Sequence, residues 1–142
     1  MKVIDLNVLL YAVNDDSPHH RDAHGWLEGA LNGTEPIGFC WAVVTGYIRI
    51  STNPRIFPNP LSAEESIVDV RSWLAGSAAV MVEPGVRHLD IVAGMLEKTG
   101  TAGNLVTDTH IAALAVENDA EVISFDNDFE RFDGVRWSTP RG

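Results

Sequence analysis

The residues of this sequence best suited to chemistry are aspartates that follow or open apolar segments. Asp5 ends the apolar run that begins at Lys2, Asp126 ends a later apolar run, and Asp128 lies two residues further on. Asp108 opens a predicted helix, where the helix dipole tolerates negative charge. Carboxylates within a few Å of one another resist ionisation unless a cation lies between them. If these four meet, their oxygen-only donor set favours Mg²⁺ or Mn²⁺ over zinc.

Short apolar strands alternate with amphipathic helices along the chain. The predicted strands are 2–5, 36–40, 79–82 and 121–125, with a further edge strand at 135–137, and the predicted helices are 6–13, 19–31, 41–51, 62–74, 86–98 and 108–118. This alternation predicts an α/β fold, a three-layer α/β/α domain with a central, mainly parallel sheet of four to five strands. Open parallel sheets bind ligands outside the carboxyl ends of their strands. If the first and fourth strands are near each other, Asp5 and Asp126 converge there.

Length and composition predict one domain over residues 1–142. Hydrophobic residues make up 45% and charged residues 21% of the chain, a globular balance that argues against disorder. The single cysteine, Cys40, excludes an intramolecular disulfide and fits a reducing compartment. Asp5 interrupts the early apolar run, no signal peptide is visible, and no run approaches the ~20 apolar residues of a membrane span. We therefore expect a cytoplasmic protein without a membrane partner.

The net charge of −10 is distributed unevenly. Residues 105–133 contain eight acidic side chains and one basic one, whereas residues 36–63 contain Arg49 and Arg55 and no acid. An acidic run is either a solvated face or a carboxylate cluster that requires a cation. Acids at the ends of buried elements would favour the cluster.

Each candidate also has a simpler interpretation. Taken singly, Asp108 would be a helix cap, and Asp126 and Asp128 would be turn residues; their occurrence together with Asp5 favours the cluster. Three histidines have spacing that would suit zinc, but solvent exposure on a helix is favoured for them: His19, His20 and His24. For His110 we favour a surface or packing role.

Three segments of the sequence resemble those of PIN domains. Val3–Ala12 is similar to the opening of the family, where the first metal-binding Asp ends strand one, and Asp108–Ala115 is similar to the helix that carries a later Asp. Ser124–Phe129 resembles the closing motif. Their order and spacing across the whole chain resemble the bacterial toxin branch, the VapC-type ribonucleases of toxin–antitoxin pairs. Arg49–Arg55 resembles a segment common in one mycobacterial-type subgroup.

The resemblance implies a Mg²⁺-dependent endoribonuclease that acts as the toxin of a type II toxin–antitoxin pair. One or two Mg²⁺ ions, or Mn²⁺, would bind the scissile RNA phosphate, lower the pKa of a bound water and stabilise the leaving 3′ oxygen. The implied partners are RNA, a VapB-type antitoxin and a second copy of the chain. The implied catalytic residues are Asp5, Asp108, Asp126 and Asp128, of which the first three bind metal, and the implied substrate-binding residues are Asn7, Arg49 and Arg55.

One position departs from the family pattern. The family usually has a Glu in the helix after the second strand, but residues 41–49 contain no carboxylate, and Thr45 stands about where the Glu would fall. This absence leaves open a non-catalytic PIN-like module that binds RNA or a partner. It also predicts at most one ordered metal in the substrate-free protein, and a gain in metal binding when Glu is placed at position 45. A signalling receiver domain would need a lysine after a late strand, and the only lysines are Lys2 and Lys98.

The helices carrying Trp26 and Trp73, and the apolar helix at 41–48, present more apolar surface than one small sheet needs. We expect part of this surface to form a homodimer interface and a groove for an antitoxin segment.

Overall fold

The computed structural model describes residues 1–141, which are organised around a five-stranded sheet. The strands are β1 Lys2–Ile4, β2 Ile37–Phe39, β3 Ala79–Met81, β4 Glu121–Ile123 and β5 Trp137–Ser138. Their order is β3-β2-β1-β4-β5, and every neighbouring pair is parallel. The predicted mainly parallel sheet of four to five strands is therefore confirmed.

Six α-helices and two short 3₁₀ helices connect these strands. The α-helices are α1 Leu6–Val13, α2 His20–Leu31, α3 Trp41–Ser51, α4 Ala63–Leu74, α5 His88–Thr99 and α6 Val106–Glu117, and the 3₁₀ helices are Gly103–Leu105 and Asn127–Arg131. The chain moves from β1 to β2 to β3 in one direction and then crosses back to β4. Right-handed crossovers therefore place α1 to α4 on one face of the sheet and α5 and α6 on the other. The predicted three-layer arrangement follows from this topology.

The central strand β1 pairs with β2 on one side and with β4 on the other. Ile4 lies opposite Ile123, so the residues that follow, Asp5 and Ser124, leave the sheet side by side. The core around this strand is apolar: Val3, Ile4 and the neighbouring Ile123 are almost completely buried. The predicted proximity of the first and fourth strands is confirmed, and it fixes the place where the acidic residues meet.

Two element boundaries near the acids differ from the prediction. The helix expected to begin at Asp108 begins at Val106, so Asp108 lies within its first turn, where the dipole argument still applies. The strand expected to reach Phe125 ends at Ile123. It ends early because the Ser124 hydroxyl accepts the backbone N–H of Asp126 at 2.9 Å, a local bond that turns the chain out of the sheet.

Within the described part of the chain, no helix has both the length and the hydropathy needed to cross a bilayer.

Candidate metal centre

Asp5 is buried at the carboxyl end of β1, with only 6% of the residue exposed. It caps α1, since its Oδ1 accepts a hydrogen bond from the Leu6 N–H at 2.7 Å, and its Oδ2 accepts one from the Ser124 hydroxyl at 2.6 Å. Burial raises the pKa of Asp5 above its usual value, and these two hydrogen bonds only partly oppose that rise. The negative charge of Asp126 raises the pKa further.

Ser124 and Asn7 join the ends of β1 and β4 through side-chain hydrogen bonds. The buried Ser124 hydroxyl donates to Asp5 and accepts from the Asn7 amide at 3.1 Å and from the Asp126 N–H at 2.9 Å. The Asn7 amide also donates to Asp5 Oδ2 at 3.2 Å. The Asn7 carbonyl oxygen accepts from the Phe125 N–H at 3.1 Å. Asn7 therefore orients Asp5, whereas its role in substrate binding stays a prediction.

Asp108, Asp126 and Asp128 meet at the same edge of the sheet. Each offers a carboxylate oxygen, and these oxygens lie within 4.8 Å of one another. Asp126 caps the Asn127–Arg131 helix by accepting the Asp128 N–H at 2.9 Å, and all three residues are half-buried. Among residues 1–141, this is the one group of three or more histidine, cysteine or acidic side chains with a spacing that suits a metal ion.

The pKa of Asp108 rises from its ordinary value of 3.8 to about 7. Partial burial is the largest cause, followed by the negative charges of Asp5, Asp126 and Asp128. A hydrogen bond that the protonated Asp108 carboxyl donates to the Asp126 carboxylate acts in the same direction. Asp5 influences Asp108 more than the other two acids do, so it belongs to the same electrostatic site although it lies outside the 4.8 Å group.

The four acids therefore form a site with unbalanced negative charge rather than a solvated face. They lie at the ends of buried elements, and their donors are all carboxylate oxygens. Such a donor set fits a hard divalent cation, whose charge would remove the mutual repulsion. Zinc sites normally include sulfur or imidazole ligands, and none is present in this group.

The structure does not bring the two predicted phosphate-binding arginines to the acidic group. Arg49 lies in the last turn of α3 and Arg55 in the loop that follows, and both side chains are exposed. Within residues 1–141, neither guanidinium forms an ion pair with an acid. The cation nearest to the site is Arg131, whose Nε is 3.5 Å from Asp128 Oδ1. Both partners of this pair are substantially exposed, so it contributes little stability.

Position 46 faces α1, whereas Thr45 does not. Thr45 is exposed, and its hydroxyl donates to the Trp41 carbonyl oxygen at 2.7 Å. Gly46 is buried, and a Cβ placed on it would lie 3.0 Å from Cδ2 of Leu6, the residue directly after Asp5. A side chain at position 46 would therefore point toward the first turn of α1, beside the acidic site. Position 46 is therefore the one from which a carboxylate would start toward α1, and the assignment of the missing glutamate to about position 45 stays a prediction.

The histidines near the start of α2 do not gather as metal ligands in the described chain. His19 and His24 are exposed, as predicted, and His20 is half-buried. The Nδ1 of His20 lies 2.9 Å from the Tyr11 carbonyl oxygen, and the Nε2 of His24 lies 3.9 Å from a carboxylate oxygen of Glu28. Each ring therefore has a local partner.

His110 has the packing role that was favoured for it. Its Nδ1 lies 2.8 Å from the Nε2 of His88 on α5, and the Nδ1 of His88 lies 2.8 Å from a carboxylate oxygen of Glu117. Burial lowers the pKa of His110, and the neighbouring His88 lowers it further. This chain of side chains ties α5 to α6.

Sequence reasoning gave Ser124 no role, although it holds two of the site's acids in place. Its signal was available in part, because Ser124 stands between a buried strand and Asp126 at the spacing of a local turn. The bond to Asp5 spans 119 positions in the sequence and depends on the pairing of β1 with β4.

Asp108→Asn is expected to raise the melting temperature of the metal-free protein above pH 7. Between about pH 4 and 7 the folded state holds a proton on Asp108 that the unfolded chain has released, so this residue favours unfolding increasingly as the pH rises. An amide removes that penalty, and each kcal/mol regained corresponds to roughly 3–5 °C in a domain of this size. A divalent cation should then raise the melting temperature of the wild type more than that of the variant. Thermal unfolding with and without Mn²⁺, below and above pH 7, checks both statements.

Asp90→Asn is the matched control. It removes a carboxylate from the first turn of α5, where Asp90 is exposed and outside the acidic group. Its loss should cost about 0.3–1 kcal/mol at most, because a helix N-terminus favours negative charge. If the metal-free Asp108→Asn protein has a lower melting temperature than the wild type above pH 7, repulsion among the carboxylates is not the dominant effect at this site.

Comparison with known proteins places this geometry in a family. A model of the PIN domain matches residues 2–135. Ribonuclease VapC37 of Mycobacterium tuberculosis is 51% identical over 140 residues, which cover 99% of this chain and 97% of that protein. Ribonuclease VapC33 of the same species is 42% identical over 140 residues, covering 99% and 98%. The crystal structure of VapBC2 from Rickettsia felis, bound to a DNA fragment from its promoter, matches with a TM-score of 0.71 at 17% identity and covers 98% of both chains.

The match to VapBC2 establishes the fold alone, since the sequence identity is low. The family model and the two mycobacterial relatives match almost the whole chain. The relatives are 51% and 42% identical to it, which is enough to show common descent. The resemblance inferred from the three sequence segments is thus confirmed. The chain belongs to the PIN-domain family and, within it, to the VapC ribonucleases.

Proposed function

We propose that this protein is a Mg²⁺-dependent endoribonuclease, the toxin of a type II toxin–antitoxin pair, acting on cytoplasmic RNA. The observation that carries the proposal is the group of carboxylate oxygens of Asp108, Asp126 and Asp128 within 4.8 Å, at the edge of a PIN fold. Relatives named as VapC ribonucleases, at up to 51% identity over the full chain, support the reaction class. Mn²⁺ is the natural substitute, because both ions prefer oxygen ligands.

In this proposal Asp5, Asp108 and Asp126 hold the cation, and Asp128 completes the group from its outer side. A divalent ion held there would polarise the scissile phosphate and neutralise the charge that develops on it. Asn7 and Ser124 keep the Asp5 carboxylate and the start of the Asp126 loop in fixed positions. The site is thereby preorganised before RNA arrives.

The exposed guanidinium groups of Arg49 and Arg55 are proposed to contact RNA phosphates further along the strand. They lie in the stretch of residues 36–63, which contains no acidic residue and supplies two exposed cations for phosphate contacts. These contacts would position the RNA without selecting its sequence.

Purified protein is expected to cleave single-stranded RNA in the presence of Mg²⁺ and to lose this activity when EDTA is added. Asp126→Asn should reduce cleavage by more than about 100-fold and abolish growth inhibition on expression, because it removes a ligand and leaves the turn intact. Gel analysis of a labelled RNA checks the first effect and colony formation the second.

Glu130→Gln is the control for this experiment, because Glu130 is an exposed acid in the same 3₁₀ helix and lies outside the acidic group. It should cleave RNA at the wild-type rate. Equal activity of the Asp126→Asn protein would refute the metal site. RNA binding by the wild type without cleavage would favour the non-catalytic alternative that the missing glutamate leaves open.

The substrate-free protein is expected to bind one Mn²⁺, because no carboxylate stands on the face of α3 that points to α1. Gly46→Glu should raise metal affinity about tenfold or add one bound ion per chain, because it places a carboxylate on the face of α3 that points to α1. The new Cβ would lie 3.0 Å from Cδ2 of Leu6, whose half-buried side chain can move aside. Thr45→Glu is the matched control, and its exposed carboxylate should leave metal binding unchanged. Isothermal titration measures both, and two occupied sites in the wild type would overturn the interpretation.

The partners we propose are a VapB-type antitoxin and a second copy of the chain. Trp26 and Trp73, expected at an interface, are instead half-buried against the core, whereas Trp41 is 55% exposed at the start of α3. Helix α5 contains no buried residue, and its Leu89 is 77% exposed. We propose that the second copy covers α5 and that an apolar antitoxin segment covers Trp41.

Leu89→Asp is expected to convert a dimer at micromolar concentration into a monomer, because a charge on α5 cannot be buried against a second copy at low cost. Val68→Asp is the control, since Val68 is 58% exposed on α4, on the opposite face of the sheet. Sedimentation velocity distinguishes the species. A wild-type monomer would refute the dimer, and a dimeric Leu89→Asp protein would place the interface elsewhere.

A further inference from the structure

Three aromatic rings form a cluster directly beside the acidic site. Tyr11 lies on α1, His19 in the turn before α2, and Phe125 between Ser124 and Asp126. The ring centroids of Tyr11 and Phe125 are 5.2 Å apart, those of Tyr11 and His19 are 5.2 Å apart, and those of His19 and Phe125 are 4.7 Å apart. All three pairs are in direct contact.

The cluster is fixed to the same framework as the acids. The Phe125 N–H donates to Asn7 Oδ1 at 3.1 Å, and Asn7 in turn donates to Asp5. Tyr11 follows Asn7 by four residues on α1, so both lie on one face of that helix. Consecutive Cα atoms are about 3.8 Å apart, so the backbone that carries Phe125 adjoins the backbone that carries Asp126. A group stacked on the cluster would therefore lie beside the metal centre.

The accessible part of the cluster is His19. Tyr11 and Phe125 are half-buried and pack against the core, whereas His19 is exposed and its ring lies over Phe125 with an interplanar angle of 33°. The turn that presents His19 is held by its backbone N–H, which donates to the Ser17 hydroxyl at 3.1 Å. An exposed ring in tilted contact with a second ring offers an aromatic face, and an aromatic face is what an unpaired nucleobase stacks on.

We propose that Tyr11, His19 and Phe125 form the stacking site for one base of single-stranded RNA, in a nucleotide that flanks the scissile phosphate. The inference rests on the proposed ribonuclease function and adds the place where the substrate base is held. Phe125 and Tyr11 form the rigid floor, and His19 makes the outer contact. Stacking does not depend on charge, so it suits a protein with a net charge of −10 that must bind a polyanion.

The test combines a change in the protein with a change in the RNA. A short RNA that the wild type cleaves at one bond is made with an abasic nucleotide on each side of that bond in turn. The protein variants are His19→Ala, Phe125→Leu and, as a control, His24→Ala, an exposed histidine on α2 outside the cluster. Cleavage gives KM and kcat for each combination, and Mn²⁺ titration reports whether the metal site is intact.

We expect one abasic position to raise KM of the wild type by about 10–100-fold. His19→Ala and Phe125→Leu should raise KM on intact RNA in the same range. Removing the base should then raise their KM little further, because the base and the aromatic cluster contribute to binding through the same contact. Mn²⁺ affinity should stay unchanged in both variants. His24→Ala should behave as the wild type on every RNA.

Three results would contradict the stacking proposal, and each has a different meaning. If the wild type cleaves RNA but His19→Ala and Phe125→Leu keep the full abasic penalty, the stacking site is wrong and the ribonuclease function stands. A loss of kcat and Mn²⁺ affinity with unchanged KM would mean that the cluster only supports the metal site, and the inference fails. Absence of metal-dependent cleavage by the wild type would remove the proposed function and the stacking site together. His19 is exposed, so its variant remains informative if Phe125→Leu fails to fold.

Discussion

Mutual repulsion among four aspartates at one sheet edge is the constraint on which the rest of the structure depends. The fold opposes it only in part: Asp5 accepts hydrogen bonds from Leu6 and Ser124, and Asp108 sits in the first turn of α6, where the helix dipole is favourable. The remaining imbalance appears as the raised pKa values of Asp5 and Asp108. The sheet must therefore hold the acids together against their mutual repulsion. A bound cation would reduce the part of that repulsion that the hydrogen bonds and the helix dipole do not offset.

The helices and strands that hold the acids in place could be predicted from local sequence patterns. The bounds of α1 and α3 were predicted to the residue, and the capping box of α4 is formed, with the Ser62 hydroxyl accepting the Glu65 N–H at 3.1 Å. Such features depend on periodicity and on bonds between residues three or four apart. That Asp108, Asp126 and Asp128 meet was also predicted, because residues that follow parallel strands or open the adjoining helices share one edge of the sheet. The metal ligands that the resemblance implied, Asp5, Asp108 and Asp126, stay a prediction.

What could not be predicted depends on contacts between distant segments. The bond from Ser124 to Asp5 requires the register of β1 against β4, and the meeting of His19 with Phe125 requires the path of the turn before α2. Neither has a local sequence signature. The exposure of Leu89 on α5 also lacks a local signature, since it depends on which distant elements pack against that helix.

The distribution of charge then determines how such a protein can hold RNA. Few lysines and arginines are available to displace counterions from the phosphates, since the chain has ten of them against twenty acids. Where basic residues dominate binding, affinity falls steeply with salt. Here a single divalent cation would cancel part of the negative charge of the four aspartates, and the aromatic surface proposed beside them would add affinity without charge. With the proposed cation, substrate binding is therefore expected to depend more on the metal than on ionic strength, and the same aspartates that repel one another in the metal-free protein would make its activity conditional on the cation.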